Sequence, residues 1–202
     1  MLPYAFIPLA FLFGSFPFSV WLGEILLGED VRKFGDGNPG AANAFKTGNK
    51  WVGLLALVLD VSKAAVPVGW AYFNFGIRGL PMLLIAVAPI LGHVFSPFLR
   101  FHGGKALATA LGVWIGLTIW KLSIPAVLGA VIGIALFTPP GWSAILGLSG
   151  ILAVLFLWLP EPLFLAVWFG EVLILGWTHR NDLRKGIHLR PWISKLFSNK
   201  KS

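Results

Sequence analysis

The chain has no cysteine among its 202 residues, and only 12% of them are charged. The first absence excludes a disulfide framework and a thiolate metal site. The second excludes a soluble domain, which has to cover its surface with charge. Acidic residues are scarcest, eight against sixteen Lys and Arg, for a formal net charge of +8. The ten-residue alternation of a membrane β-barrel is missing. So are internal repeats and low-complexity tracts, which speaks against a transporter assembled from inverted repeats. The N-terminus has neither a basic n-region nor a small-residue cleavage site, so its apolar stretch from about Pro3 to Leu27 reads as a retained span rather than a signal peptide.

What is present instead is apolar length. Hydrophobic residues make up 57% of the chain, mean hydropathy is +0.81, and there are ten tryptophans. Runs long enough to cross hydrocarbon recur from end to end. The pattern predicts an all-α polytopic membrane protein, a single bundle of seven transmembrane helices forming one domain over residues 1–202. The spans fall near 3–27, 51–75, 80–99, 106–120, 122–138, 143–159 and 163–178, separated by Arg78-Gly79, Lys121, Thr138-Pro139-Pro140-Gly141 and Pro160-Glu161-Pro162 among other breaks. The net positive charge invites a nucleic-acid partner, but the basic residues flank the spans as a topology signal, so no nucleic acid is expected.

Orientation follows from their count. Arg32, Lys33, Lys46, Lys50, Arg100, Lys105 and the tail's Arg180, Arg184, Lys185, Arg190, Lys195, Lys200 and Lys201 lie on one side, thirteen against Arg78 and Lys121 on the other. That puts the N-terminus outside and the C-terminus in the cytoplasm. The tail 179–202 mixes these charges with Leu189, Trp192, Ile193, Leu196 and Phe197 and reads as a segment lying on the anionic leaflet.

Four ionisable residues fall within spans, where they are expensive: Glu24, Asp60, Lys63 and Glu171. Asp60 and Lys63 are three apart, share a helix face and read first as a structural ion pair. His93, in an apolar helix, reads as a hydrogen-bonded packing residue rather than a ligand. Gly14, Ser15 and Ser19 around Pro17 read as close helix packing at a kink. No histidine pair has metal spacing with a carboxylate, so no metal is expected. Phe13-Gly14-Ser15-Phe16-Pro17 is not a nucleophile elbow.

Three polar runs carry the candidate chemistry. The first is Gly35-Asp36-Gly37-Asn38-Pro39-Gly40-Ala41-Ala42-Asn43-Ala44-Phe45-Lys46, whose glycines let the backbone approach a ligand and turn N–H groups on an anion. The second ends His102-Gly103-Gly104-Lys105 before a helix, joining backbone donors, helix dipole and a fixed cation. It lacks the spacing of a nucleotide P-loop. The third, Thr178-His179-Arg180-Asn181-Asp182-Leu183-Arg184-Lys185, follows the last span with groups suited to a phosphate or a reacting hydroxyl. Three such runs on one membrane face point to a cytoplasmic-side pocket for anionic ligands.

These residues, in this order, resemble the PlsY-type acyl-phosphate:glycerol-3-phosphate acyltransferases of bacterial membranes. The resemblance runs from Gly14-Ser15-Phe16-Pro17 and Asp30-Val31-Arg32 through the 35–46 loop, Asp60 and Lys63, Gly92-His93 and Gly103-Gly104-Lys105 to His179-Arg180. It implies transfer of a fatty acyl group from acyl phosphate to the sn-1 hydroxyl of glycerol 3-phosphate in the cytoplasmic (inner) membrane of a bacterium, with no cofactor. It assigns Lys105, His179 and Asp182 to catalysis and Gly35, Asp36, Gly37, Asn38, Gly40, Asn43, Lys46, Gly103 and Gly104 to substrate phosphate. Either His179 or the substrate's own phosphate takes the hydroxyl proton. The chain departs from the family pattern at Asp36 (usually serine), Ala42 (threonine), Lys46 (arginine), His102 (lysine) and Asp182 (asparagine). Asp36 is expected to pair with Lys46 or Arg32 or to cap a turn. The competing expectation is a non-catalytic member that binds an anion or lipid, or a small transporter.

Overall fold

The computed structural model describes residues 2–193. The tail residues Lys195, Leu196, Phe197, Lys200 and Lys201 lie outside them. Every named element is helical, and the chain falls into two compact units, Met1–Trp120 and Lys121–Ser202.

The first unit holds α1 (Leu2–Ser15), α2 (Phe18–Leu27), the short α3 (Ala41–Lys46), α4 (Lys50–Gly69), α5 (Gly79–Val94) and α6 (Leu107–Thr118). A π-helical turn, Trp70–Asn74, prolongs α4 just after Pro67. The second unit holds α7 (Ser123–Leu136), α8 (Pro140–Leu157), α9 (Pro162–Thr178) and the single turn α10 (Arg180–Leu183). Pro3–Leu27, Lys50–Asn74, Gly79–Leu99 and Pro140–Leu157 are long and apolar enough to cross a membrane. Leu107–Thr118, Ser123–Leu136 and Pro162–Thr178 are apolar but shorter. The fold is thus an all-α, multi-pass membrane bundle. Its outer faces agree: Ile25, Trp51 and Phe156 are each more than three-quarters exposed, which hydrocarbon accepts and water would penalise.

The first span is not one helix. Pro17 has no N–H to continue the α1 ladder and its ring crowds the preceding turn, so the chain breaks at Phe16-Pro17 and restarts as α2. Small residues then let backbones meet. A Cβ at Gly14 would run into the Pro89 backbone of α5, and one at Gly92 into Phe11 of α1. Gly112 on α6 packs in the same way against Val61 of α4. Without a hydrophobic drive between helices in lipid, this close packing is what holds them.

Val20, Val31, Ala41, Ala44 and Ala56 form a buried cluster that joins α2, the 3-10 turn Val31–Lys33, α3 and α4. It fixes the ends of the 35–46 loop. In the second unit, the α7–α8 connection pairs with the segment after α10: the Thr138 N–H donates to the His188 carbonyl at 2.9 Å and the Arg190 N–H to that of Leu136 at 2.9 Å.

Candidate functional site

Gly35 (φ 60°) and Gly37 (φ 77°) put left-handed backbone on either side of Asp36. Only glycine adopts this freely, and it curls the loop so that Asp36 Oδ1 accepts the Asn38 N–H at 3.3 Å. The same oxygen accepts from Asn43 Nδ2 at 3.0 Å. Asn43 is fully buried at the start of α3; it also donates to the Asn38 carbonyl at 3.0 Å and accepts from Lys46 Nζ at 3.2 Å. At Gly40 a Cβ would come within 2.8 Å of Asn38 Nδ2, so a side chain there would shift that amide.

Lys105 reaches this loop from 67 to 69 residues away. Its N–H donates to Asn38 Oδ1 at 2.9 Å and its ammonium to Asp36 Oδ2 at 2.8 Å. Asp36 therefore pairs with Lys105, not with Lys46 or Arg32, and it also caps the turn. Arg32 is engaged elsewhere, forked on the Asp30 carboxylate at 2.9 Å, and it holds that carboxyl below the usual range. At Asp36, burial works to raise the pKa. The Lys105 ammonium, with the Asn38 N–H and the Asn43 amide, outweighs it and holds the carboxyl down to about 2.

The glycines before Lys105 play a different part from the one expected of them. The Gly103 N–H donates to the Val94 carbonyl at 2.9 Å and the Gly104 N–H to that of His93 at 3.1 Å. They satisfy carbonyls that the end of α5 leaves open, and a Cβ at Gly103 would collide with those same carbonyls. The turn is further pinned by Arg100 (φ 53°), Phe101 (φ 62°) and Ala106 (φ 64°), all left-handed without being glycine. Each such residue costs about 1–2 kcal/mol, and strain of this kind gathers at functional sites.

Behind the turn lies a sealed polar network. Lys63 Nζ meets Asp60 Oδ1 at 2.8 Å, the Phe16 carbonyl at 2.9 Å and His93 Nδ1 at 2.7 Å. Ser19 donates to Asp60 Oδ2 at 2.8 Å. An ammonium is donor only and has three N–H bonds, so His93 Nδ1 accepts and its ring proton sits on Nε2, beside Gly104. His93 is thus the hydrogen-bonded packing residue expected, while the supporting parts of Ser19 and Ala106 were missed by sequence reasoning. For Ser19 the signal was a polar atom in an apolar helix; Ala106 gave none.

In the second unit, His179 is buried and its Nδ1 lies 3.0 Å from the Leu175 carbonyl, which can only accept. The proton is therefore on Nδ1, and Nε2 is the basic nitrogen of the neutral ring. Asp182, one turn on, is also buried; its N–H donates to the His179 carbonyl at 2.9 Å, and Lys185 Nζ lies 3.9 Å from its carboxylate. The structure thus brings Gly35, Asp36, Gly37, Asn38, Gly40, Asn43, Lys46, Gly103, Gly104 and Lys105 into one region of the first unit, and sets His179 and Asp182 on consecutive turns of the second.

These features define an integral membrane protein with a polar loop closed on Lys105. A family model described as glycerol-3-phosphate acyltransferase matches residues 4–188. The chain is 36% identical to the glycerol-3-phosphate acyltransferase of Aromatoleum aromaticum, covering 87% of this chain and 88% of that one. It is equally identical to glycerol-3-phosphate acyltransferase 1 of Thermotoga maritima, over 92% and 98%. Its fold matches the crystal structure of PlsY (YgiH), an integral membrane glycerol 3-phosphate acyltransferase in its glycerol 3-phosphate form, with a TM-score of 0.83 at 26% identity, over 98% of this chain and all of that one. The chain belongs to the glycerol-3-phosphate acyltransferase family.

Proposed function

We propose that this chain transfers a fatty acyl group from acyl phosphate to the sn-1 hydroxyl of glycerol 3-phosphate in the bacterial cytoplasmic membrane, releasing lysophosphatidate and inorganic phosphate. The hydroxyl oxygen bonds to the acyl carbonyl carbon, the carbon–oxygen bond to phosphate breaks, and the hydroxyl proton passes to a base. The donor is an activated mixed anhydride, so the protein's task is to hold phosphate and orient a hydroxyl. The observation that carries this reading is Lys105, gripped at its N–H by Asn38 and at its ammonium by Asp36. A cation so preorganised suits a phosphate that gains charge as it leaves. Gly35, Gly37, Gly40, Asn43 and Lys46 shape the loop around it, and Gly103 and Gly104 act by setting the turn. We assign the proton to His179, whose Nδ1–H is tied to Leu175 and whose Nε2 is the basic nitrogen. Asp182, an acceptor, is assigned to a substrate hydroxyl.

The test is direct. Purified protein given acyl phosphate and glycerol 3-phosphate releases phosphate and forms lysophosphatidate; a folded sample without turnover rejects the proposal and favours a non-catalytic anion-binding role.

We further propose one domain of seven spans, with the N-terminus outside and the C-terminus in the cytoplasm. The charge count supports this, and α6, α7 and α9 supply the three spans beyond the four long ones. Single cysteines introduced into this cysteine-free chain test it: a label at Gly76 reacts from outside and one at Lys50 from the cytoplasm. The reverse pattern rejects it.

A further inference from the structure

The phosphate seat contains an anion that the chain itself supplies. The two oxygens of Asp36 divide their work: Oδ1 holds the loop through Asn38 and Asn43, while Oδ2 meets the Lys105 ammonium. The side chains of this pair are 44% and 25% exposed, so solvent and solute ions reach it. An exposed carboxylate–ammonium pair is weak and exchangeable. A tethered partner nonetheless competes strongly with a free ligand, since a short link holds it at millimolar or higher effective concentration.

We propose that Asp36 is a tethered competing anion for the Lys105 phosphate seat. It occupies the ammonium between turnovers, sets how tightly a phosphate group binds there, and returns to the lysine as inorganic phosphate leaves. No covalent step is involved; one anion replaces another on the same cation. The inference rests on the reading of Lys105 as the phosphate-binding cation and names the group that tunes it. It also accounts for the division of the carboxylate: the loop stays folded through Oδ1 when Oδ2 gives up its partner, so displacement requires no unfolding of the 35–46 segment.

The experiment separates charge from scaffold. Asp36→Asn keeps an oxygen for Asn38 and Asn43 and removes only the charge, whereas Asp36→Ser removes the charge and leaves one hydroxyl oxygen on a shorter side chain. Binding of inorganic phosphate to the full-length protein in detergent is measured by calorimetry, together with phosphate inhibition of acyl transfer. Asp36→Asn is expected to bind phosphate about three- to tenfold tighter, with product inhibition deepened by the same factor, and Lys105→Ala in that background to lose the gain. Equal, weaker or undetectable phosphate binding in Asp36→Asn overturns the inference and makes Asp36 a loop scaffold only. Should Asp36→Asn fail to fold, Asp36→Ser decides by the same criterion. A calorimetric gain without any turnover upholds the competing anion and sinks the acyltransferase; turnover with unchanged phosphate affinity does the reverse.

Discussion

Two acid–lysine pairs in the first unit have the same length and opposite meanings. Asp60–Lys63 and Asp36–Lys105 both close at 2.8 Å. The first joins neighbours on one helix and is sealed, with side chains 2% and 1% exposed. The second joins residues 69 apart and is open, at 44% and 25%. The sealed lysine spends its three N–H bonds on Asp60, the Phe16 carbonyl and His93, which ties the α1–α2 break, α4 and α5 together. Nothing in that arrangement can exchange without leaving a charge bare in hydrocarbon. The open lysine is held by loop groups that tolerate water, and in the proposed reading a substrate anion takes the carboxylate's place. Burial, not distance, decides which pair builds the bundle and which can serve chemistry.

The largest effect comes from breaking the sealed pair. Asp60→Ala leaves the buried Lys63 ammonium without its counter-ion, a defect worth about 3–5 kcal/mol. Unfolding in detergent should show a loss of that size, and Asp60→Leu with Lys63→Met should recover much of it by removing both charges. A single-variant loss under about 1 kcal/mol, the range of exposed pairs, would mean the two pairs do not differ as their burial implies. Next in size is Lys105→Ala, which should cut turnover about 10²–10³-fold by removing one preorganised contact to the leaving phosphate. Its stability should change by no more than about 1 kcal/mol. Destabilisation as deep as that of Asp60→Ala would erase the distinction between the pairs.

The sealed pair was half legible in the sequence. A spacing of three residues put Asp60 and Lys63 on one face, but Ser19, Phe16 and His93 come from 41, 47 and 30 residues away, beyond the reach of any local pattern. The apolar runs announced the helices, because hydropathy is a property of each segment alone; the break at Pro17 was visible as a kink and not as two helices. In the candidate site, the loop and the Gly-Gly-Lys turn were recognisable by residue type. Their mutual contact was not. Charge alone made Lys46 and Arg32 the natural partners of Asp36, yet Arg32 had a nearer carboxylate in Asp30 and Lys46 turned to Asn43. Gly103 and Gly104 looked like ligand donors until the end of α5 supplied carbonyls for them. Ala106 in left-handed backbone carries no compositional mark, since alanine is not a residue chosen for that conformation.

The smallest expected effect is the acid sensitivity of the open pair, and its sign is set by the lowered pKa of Asp36. Burial alone would raise that value; Lys105 and the loop donors bring it to about 2 in the folded protein, against roughly 3.9 for an unperturbed aspartate. A carboxyl depressed on folding adds stability above its unfolded pKa and loses it as pH falls through the folded one. The Asp36 contribution is therefore complete at pH 5 and above, and fades between about pH 4 and pH 2. Because the pair is largely solvated, its worth is at most about 1 kcal/mol. The difference in unfolding stability between the natural chain and Asp36→Asn should be constant from pH 8 to pH 5 and shrink toward zero near pH 2. A difference that instead changes between pH 8 and pH 5 would place a group other than this carboxylate in control of the loop.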